Sequence, residues 1–136
     1  MTQPHPTVNV ELRVTREGKR TLAHLTWKNT SLSRPADLMS FNLVVDGRLD
    51  NDVFDVSTTS GGRVTYLGNY SKRRVGPEHV RRLAPGERIE GVVDLSTYYD
   101  LPAGRAVTVA YDCIHQTLPP VDLFRLRSNA VVLPPG

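Results

Sequence analysis

Zinc hydrolases that work from a helix hold two histidines one turn apart with a glutamate between them, so that both imidazoles reach one metal and the carboxylate activates its water. The four histidines of this chain, His5, His24, His79 and His115, have neither that spacing nor a helical pattern around them. Nucleophilic catalysis has no better start: no serine sits in a Gly-rich elbow, and no Gly-rich loop is built to cradle a phosphate. The chain is therefore expected not to be an enzyme and to need no cofactor. The cluster Asp112-Cys113-Ile114-His115 is weighed separately, because Cys113 and His115 at alternate strand positions project one way and both can ligate a metal. Two ligands without a second pair do not make a site. No metal is expected, with Cys113 and His115 as the alternative; Cys113 reads as a small buried hydrophobe beside a surface His115. His24, on the polar side of its strand, reads as exposed.

The other chemistry-bearing segment is basic: Asn69-Tyr70-Ser71-Lys72-Arg73-Arg74-Val75-Gly76-Pro77. It joins an extended backbone to Lys and Arg side chains, which an acidic pocket of another protein can bind as it would a substrate. The expected partner-binding residues are Tyr66, Asn69, Tyr70, Ser71, Lys72, Arg73, Arg74 and His79; the bland alternative is a solvated connection. Phosphate binding by Arg81, Arg82, Arg88, Arg125 and Arg127 requires that they share a face. Lys and Arg number 17 against 14 Asp and Glu, a formal charge of +3, and the acids are spread along the whole chain. A nucleic-acid binder shows a denser basic face, so no nucleic acid is expected. No run is long and apolar enough to span a bilayer, and no membrane partner is expected. Asn29-Thr30-Ser31 and Asn69-Tyr70-Ser71 match the glycosylation acceptor pattern, which recurs by chance.

These residues must be positioned by strands, since period-two alternation runs through the chain with almost no helical periodicity. Val8, Val10, Leu12 and Val14 alternate with polar residues; Ala23, Leu25 and Trp27 do so next, and Met39, Phe41, Leu43 and Val45 form the inward face of a third strand. Asp46-Gly47 turns the chain, and Gly61-Gly62 signals a hairpin between a strand around Val53 to Val56 and one at Val64-Thr65-Tyr66. Residues 68–79 form a long loop, a length often tied to function. Pro85-Gly86 fits a type II turn between two strands. Residues 105–111 form another strand, and 123–133 a last strand or pair broken by Ser128-Asn129. The fold class expected is all-β, an immunoglobulin-like antiparallel β-sandwich of about seven to nine strands with Trp27 in its core. Tyr98-Tyr99-Asp100-Leu101 can form a tyrosine corner. One domain over residues 1–136 is expected, with frayed ends at about 1–6 and 134–136. The lone Cys113 excludes an internal disulfide, and Met1-Thr2-Gln3-Pro4-His5-Pro6 lacks the regions of a signal peptide.

Phe54, Tyr66-Leu67-Gly68, Lys72-Arg73 and Pro85-Gly86, followed by Asp94-Leu95-Ser96, Tyr99 and Gly104, stand in an order and spacing that carry a resemblance. From the Val8 strand to Ser128-Asn129 the chain resembles the non-catalytic N-terminal segment of the deuterolysin-type zinc endopeptidases, the aspzincins, in particular the bacterial peptidyl-lysine type. The resemblance implies a propeptide-like domain, associated in that family with folding assistance and latency. Its partner would be a protein, a zinc endopeptidase, which it binds and inhibits or chaperones. The chain departs from the family in stopping at Val131-Val132-Leu133-Pro134-Pro135-Gly136 without a catalytic motif. A prosegment cut from a precursor would be secreted or periplasmic; a free-standing relative would be cytoplasmic. A looser resemblance to small bacterial intracellular proteinase inhibitors, through the Leu83-Ala84-Pro85-Gly86-Glu87 turn, favours the second. The competing class is a structural or adhesive sandwich module with no protease partner.

Overall fold

The computed structural model describes residues 2–70 and 76–136, and half-buried alternation becomes strands over much of their length. After β1 (Gln3–Pro4), β2 (Val8–Glu17) and β3 (Arg20–Asn29) form a hairpin in unbroken register, from Val8 opposite Asn29 to Glu17 opposite Arg20. Gly18 at the first turn position takes φ +61°, the conformation that a two-residue hairpin of the II′ kind demands there. Later strands are β4 (Ala36–Met39), β5 (Phe54–Thr58), β6 (Val80–Leu83), β7 (Arg88–Asp94), β8 (Val107–Gln116), β9 (Leu123–Arg127) and β10 (Val131–Leu133), with one short helix, α1 (Leu95–Tyr98). The described residues thus hold ten strands and are mostly β, as the alternation predicts, with β1 lying where a frayed end was expected.

Three sheets share one apolar core. The first has the order β2-β3-β7; the second is built on β8, which pairs with β5, β9 and β10, with β1 parallel to β9; the third is the β4-β6 pair. Strands β5 and β10 both claim residues 107–109 of β8 and so lie on its opposite sides. Trp27 is fully buried and meets Tyr111 edge to face at 5.4 Å, a preferred aromatic geometry. Phe54 stands edge-on to both Tyr111 and Tyr99. The buried indole N–H of Trp27 has no acceptor among the described residues, so its burial rests on packing.

The second sheet is stitched to the first by a bulge. Pairing with β8 slips by one residue between Arg127 opposite Asp112 and Val131 opposite Val109, which leaves one extra residue near Asn129. Ser128 bridges the slip: its N–H donates to the Tyr111 carbonyl and its hydroxyl accepts the Tyr111 N–H at 2.9 Å. The Asn129 side chain then reaches the outer edge of β2, accepting the Leu12 N–H and donating to the Leu12 carbonyl, each at 2.9 Å. One amide side chain does the work of a neighbouring strand at that edge.

Several expectations need correction. The third alternating run stops at Met39, because Ser40–Asn42 winds into a 3₁₀ turn. Phe41 therefore leaves the core and lays its ring against His79 at 5.7 Å. Leu43 and Val44 are both buried, while Val45 is exposed at the Asp46-Gly47 turn, whose two positive φ values fit a type I′ hairpin. Val64-Thr65-Tyr66 is no strand; its neighbourhood makes single bridges, Arg63 to Ser57 and Tyr66 to Tyr99. The ends are held too: His5 N–H donates to the Arg125 carbonyl, and Arg16 donates to the Pro134 carbonyl at 2.6 Å. The Pro85-Gly86 turn forms as expected, with Gly86 at φ +76° and Glu87 N–H donating to the Ala84 carbonyl.

Two substitutions test this architecture. Trp27→Ala should destabilise the fold by about 3–5 kcal/mol, the usual cost of emptying a large buried aromatic site, read from urea unfolding. Asn129→Ala should cost about 1–3 kcal/mol, because the Leu12 N–H and carbonyl lose their partners; an unchanged urea midpoint would refute the stitching role.

Candidate protein-contact surface

The segment that ends at Tyr70 is rooted on a stack of tyrosines. Leu67 N–H donates to the Tyr98 carbonyl and Asp100 N–H to the Thr65 carbonyl, which clamps the segment around Tyr66 against the end of α1. That helix begins at Asp94, whose carboxylate accepts the Ser96 N–H and also the Thr21 N–H. Tyr99, just past the helix, is buried; its hydroxyl donates to Asp52 at 2.6 Å and accepts the Phe54 N–H at 3.1 Å. A local tyrosine corner was expected, but the phenol caps a backbone group 45 residues upstream. Burial, reinforced by the Asp52 carboxylate, holds this phenol far above its ordinary range and so keeps it a donor.

Tyr66 lies between Tyr99, at 5.3 Å, and Tyr70, at 5.1 Å, and its hydroxyl donates to the Asn69 carbonyl at 2.6 Å. Partial burial, then the Asp52 charge, pushes it up to about 12. Gly68 makes this fold-back possible, since a Cβ there would collide with the Tyr66 ring. Asn69 and Tyr70 are exposed, Tyr70 by 63%. Ser71, Lys72, Arg73 and Arg74 lie outside the described residues. His79, also expected among the partner-binding residues, ends a 3₁₀ turn, Pro77–His79, and packs against Phe41 with its Nε2 3.6 Å from the Glu78 carboxylate. Both described roots thus approach the Ser40–Asn42 turn.

Beside this turn lies a cleft of about 630 Å³. Tyr70 and Ile114 line it with Asn42, Val53 and Cys113, and charged groups surround them: Asp52, Asp55, Asp112, Arg63 and Arg125. Asn42 anchors the turn, donating to the Ile114 carbonyl and accepting from Asn51. The ion pairs are layered. Arg63 is 65% exposed over Asp52 at 17%, and Arg125 is 49% exposed over Asp112 at 14%. Asp112 takes a two-pronged contact from Arg125 and a further one from Arg127 at 2.6 Å. Hydrogen bonding to Arg125 outweighs burial and holds this carboxyl below its usual range.

The cluster around Cys113 is organised differently from expectation. His115 is buried, not on the surface: its Nδ1 accepts the Met39 N–H at 2.9 Å and its Nε2 lies 3.0 Å from the Tyr111 hydroxyl. Cys113 donates to the same hydroxyl at 2.9 Å, and burial pushes its thiol up to about 12. Cys113 and His115 do project one way, as the alternation predicts, but toward a tyrosine. Among the described residues no group of three or more His, Cys, Asp or Glu side chains converges on a metal position.

Other expectations divide similarly. His24 is partly buried with Nε2 2.9 Å from the Thr15 hydroxyl. The five arginines weighed for phosphate are spread over β6, β7 and β9 and each has a carboxylate beside it: Glu87, Asp37, Glu90 and Asp112. Asn29 is buried with its amide donating to the Arg34 and Leu83 carbonyls, which leaves no room for a glycan. Of the charged residues at the cleft, Asp52 and Arg63 were not singled out in the sequence, whereas Asp112 was weighed with Cys113 and His115 and Arg125 with the arginines for phosphate; Arg125 and Arg127 share one parity on β9.

No family model matches the chain. Over 95 residues it is 32% identical to the Neutral protease 2 homolog of Arthroderma benhamiae, an alignment that covers 68% of this chain and 24% of that protein. The chain therefore contains a region related to part of a protease, and it spans about a quarter of that relative's length.

The buried His115 gives a pH test. Burial, with a smaller push from His5, lowers it from 6.5 to about 3. Between those values the unfolded chain binds more protons than the folded one, so stability rises with pH. The contribution is complete above pH 6.5 and is lost as pH falls toward 3, at up to about 1.4 kcal/mol per pH unit. His115→Gln should flatten urea-unfolding stability between pH 6.5 and 4.5; His5 and His24, both lowered by burial, and the carboxyls of Glu87, Asp94 and Asp112, held below their usual range by hydrogen bonds, leave a residual slope of the same sign. An unchanged slope would refute the assignment.

Proposed function

We propose that this chain is a non-catalytic, protease-associated domain, a β-sandwich of immunoglobulin-like type, that binds a zinc metalloendopeptidase and inhibits or chaperones it in the manner of a propeptide. The observation that carries this reading is the similarity to a limited part of a protease, 24% of its length, in a chain whose four histidines have no zinc-helix spacing. The tyrosine-rooted loop supports it. Its base is held, because Tyr66 and Tyr99 each donate their hydroxyl proton within the fold, and a pre-ordered base lowers the ordering cost of binding. Tyr70 stands exposed at that base, and tyrosine is among the residues most often found at binding hot spots. Lys72, Arg73 and Arg74 follow it in sequence and supply charge for an acidic partner. A domain cut from a peptidase precursor would act outside the cytoplasm, secreted or periplasmic.

The test is titration of this chain into a purified deuterolysin-type zinc endopeptidase while peptide cleavage is followed, with refolding of the denatured peptidase measured in its presence and absence. Inhibition should saturate at a fixed stoichiometry, or the refolded yield should rise. If neither rate nor yield responds, the reading fails. Changing Lys72 and Arg73 together to Ala should weaken binding by about 1–3 kcal/mol and slow association at low salt, with the thermal midpoint unchanged. Equal affinity of variant and parent would remove the loop from the contact.

A further inference from the structure

We infer that residues 2–6 form a strap latched by the neutral His5 ring, and that protonation of this ring releases the strap from β9 and opens the groove between β9 and β2 while the rest of the fold stays intact. The inference stands apart from the protease reading, because latch and release belong to this chain alone.

The sequence makes this segment a weak strand. Pro4 and Pro6 flank His5 and carry no N–H to donate. Pairing with β9 covers two residues, Gln3 opposite Phe124 and Pro4 opposite Arg125, and ends in the bond from the His5 N–H to the Arg125 carbonyl at 3.0 Å. The His5 side chain supplies the rest. Its Nδ1 accepts two N–H groups, from Thr7 at 3.1 Å and from Val8 at 3.0 Å, and its ring lies 4.9 Å from that of Phe124. Thr7 is the hinge. Its carbonyl accepts both the N–H and the hydroxyl of Thr30, at 2.8 and 2.7 Å, so movement of the strap stops there.

Protonation breaks the latch by stereochemistry. An N–H can only donate, so the Nδ1 that faces Thr7 and Val8 is bare and the ring proton sits on Nε2. An imidazolium carries a proton on both nitrogens and accepts nothing. In place, a charged His5 would aim its own N–H at two others, with both hydrogen bonds lost, so the ring must swing out to be solvated. The surroundings give the cation no compensation. On β9, Arg125 and Arg127 line the same groove, each already bound to Asp112. On β8, His115 meets His5 as a like charge. On β2, Glu11 also lines the groove, but among the described residues it makes no ion pair with His5. Burial lowers His5 from 6.5. The latch is therefore complete above that pH and is lost as pH falls through the lowered value.

Release has a defined product. Pro4 and His5 form one side of a groove of about 900 Å³ that Val8, Val10 and Leu126 also line. Losing that side uncovers the Phe124 ring and the Arg125 carbonyl and leaves the buried Val8 open to solvent. The change stops at the strap, since β2 keeps its whole register with β3 and Asn129 still holds Leu12.

Nuclear magnetic resonance of the intact chain tests this between about pH 8 and about pH 4.5. The His5 ring should carry its proton on Nε2 at the upper end and titrate below 6.5. Contacts between the His5 and Phe124 rings should vanish with that midpoint, and the Gln3 and His5 amide signals should move with it. Exchange protection of the Val8 N–H, corrected for the intrinsic effect of pH, should fall at least about tenfold between about pH 7.5 and about pH 5. The Trp27 and Tyr111 signals should stay in place. His5→Asn keeps a side-chain acceptor for N–H groups two and three residues on but does not titrate, so the state of its strap should not change with pH. His5→Ala should free the strap at every pH. Strap signals that do not follow the His5 titration, an Asn variant that releases with the parent's midpoint, an Ala variant still latched at about pH 7.5, or loss of the Trp27 signals together with the strap would each overturn the proposal.

Discussion

A phenol oxygen has one proton and two lone pairs to share, and the Tyr111 hydroxyl uses all three. The assignments are forced in sequence. The Met39 N–H can only donate, so the Nδ1 it meets on His115 must be bare. The His115 proton then sits on Nε2 and donates to Tyr111, whose own proton must go to the Asn42 carbonyl, 2.6 Å away. The remaining lone pair takes the Cys113 thiol. A chain of this kind in a low-dielectric interior is stable when complete and costly when any member is missing. Through it β4, the Ser40–Asn42 turn and the second half of β8 become one unit, while the ring of the same tyrosine packs on Trp27 and Phe54.

The candidate surface is built on that unit. Asn42 accepts from Tyr111 through its backbone and uses its side chain to hold the Ile114 carbonyl and the Asn51 amide. Phe41, expelled from the core by the same turn, becomes the support for His79. Across the cleft a second buried phenol, Tyr99, ties Asp52 and the Phe54 N–H together and places the Tyr66–Tyr70 stack. Two tyrosines hidden in the interior thus decide where an exposed one stands.

Carboxylates lying under guanidiniums follow from the same layout. A short Asp near the core can accept several hydrogen bonds at once, as Asp112 does from Arg125 and Arg127. The longer arginine covers it with its stem and keeps the charged head wet.

Much of the scaffold is legible in the residues alone. Val8, Val10 and Leu12, and Ala23, Leu25 and Trp27, announce their strands because a pleated chain turns alternate side chains to opposite faces. The turns at Asp46-Gly47 and Pro85-Gly86 are equally legible, since positive φ is a local demand that few residues meet. What the tertiary structure alone decided are the pairings between distant positions: Met39 with His115, separated by 76 residues, Leu12 with Asn129, separated by 117, and Phe54 with Tyr99, separated by 45. Whether His115 is dry or wet, whether Phe41 stays in the core, and which arginine covers which aspartate depend on which strands become neighbours. Sequence spacing carries the period of each strand, whereas the chain's packing supplies the partner across the gap.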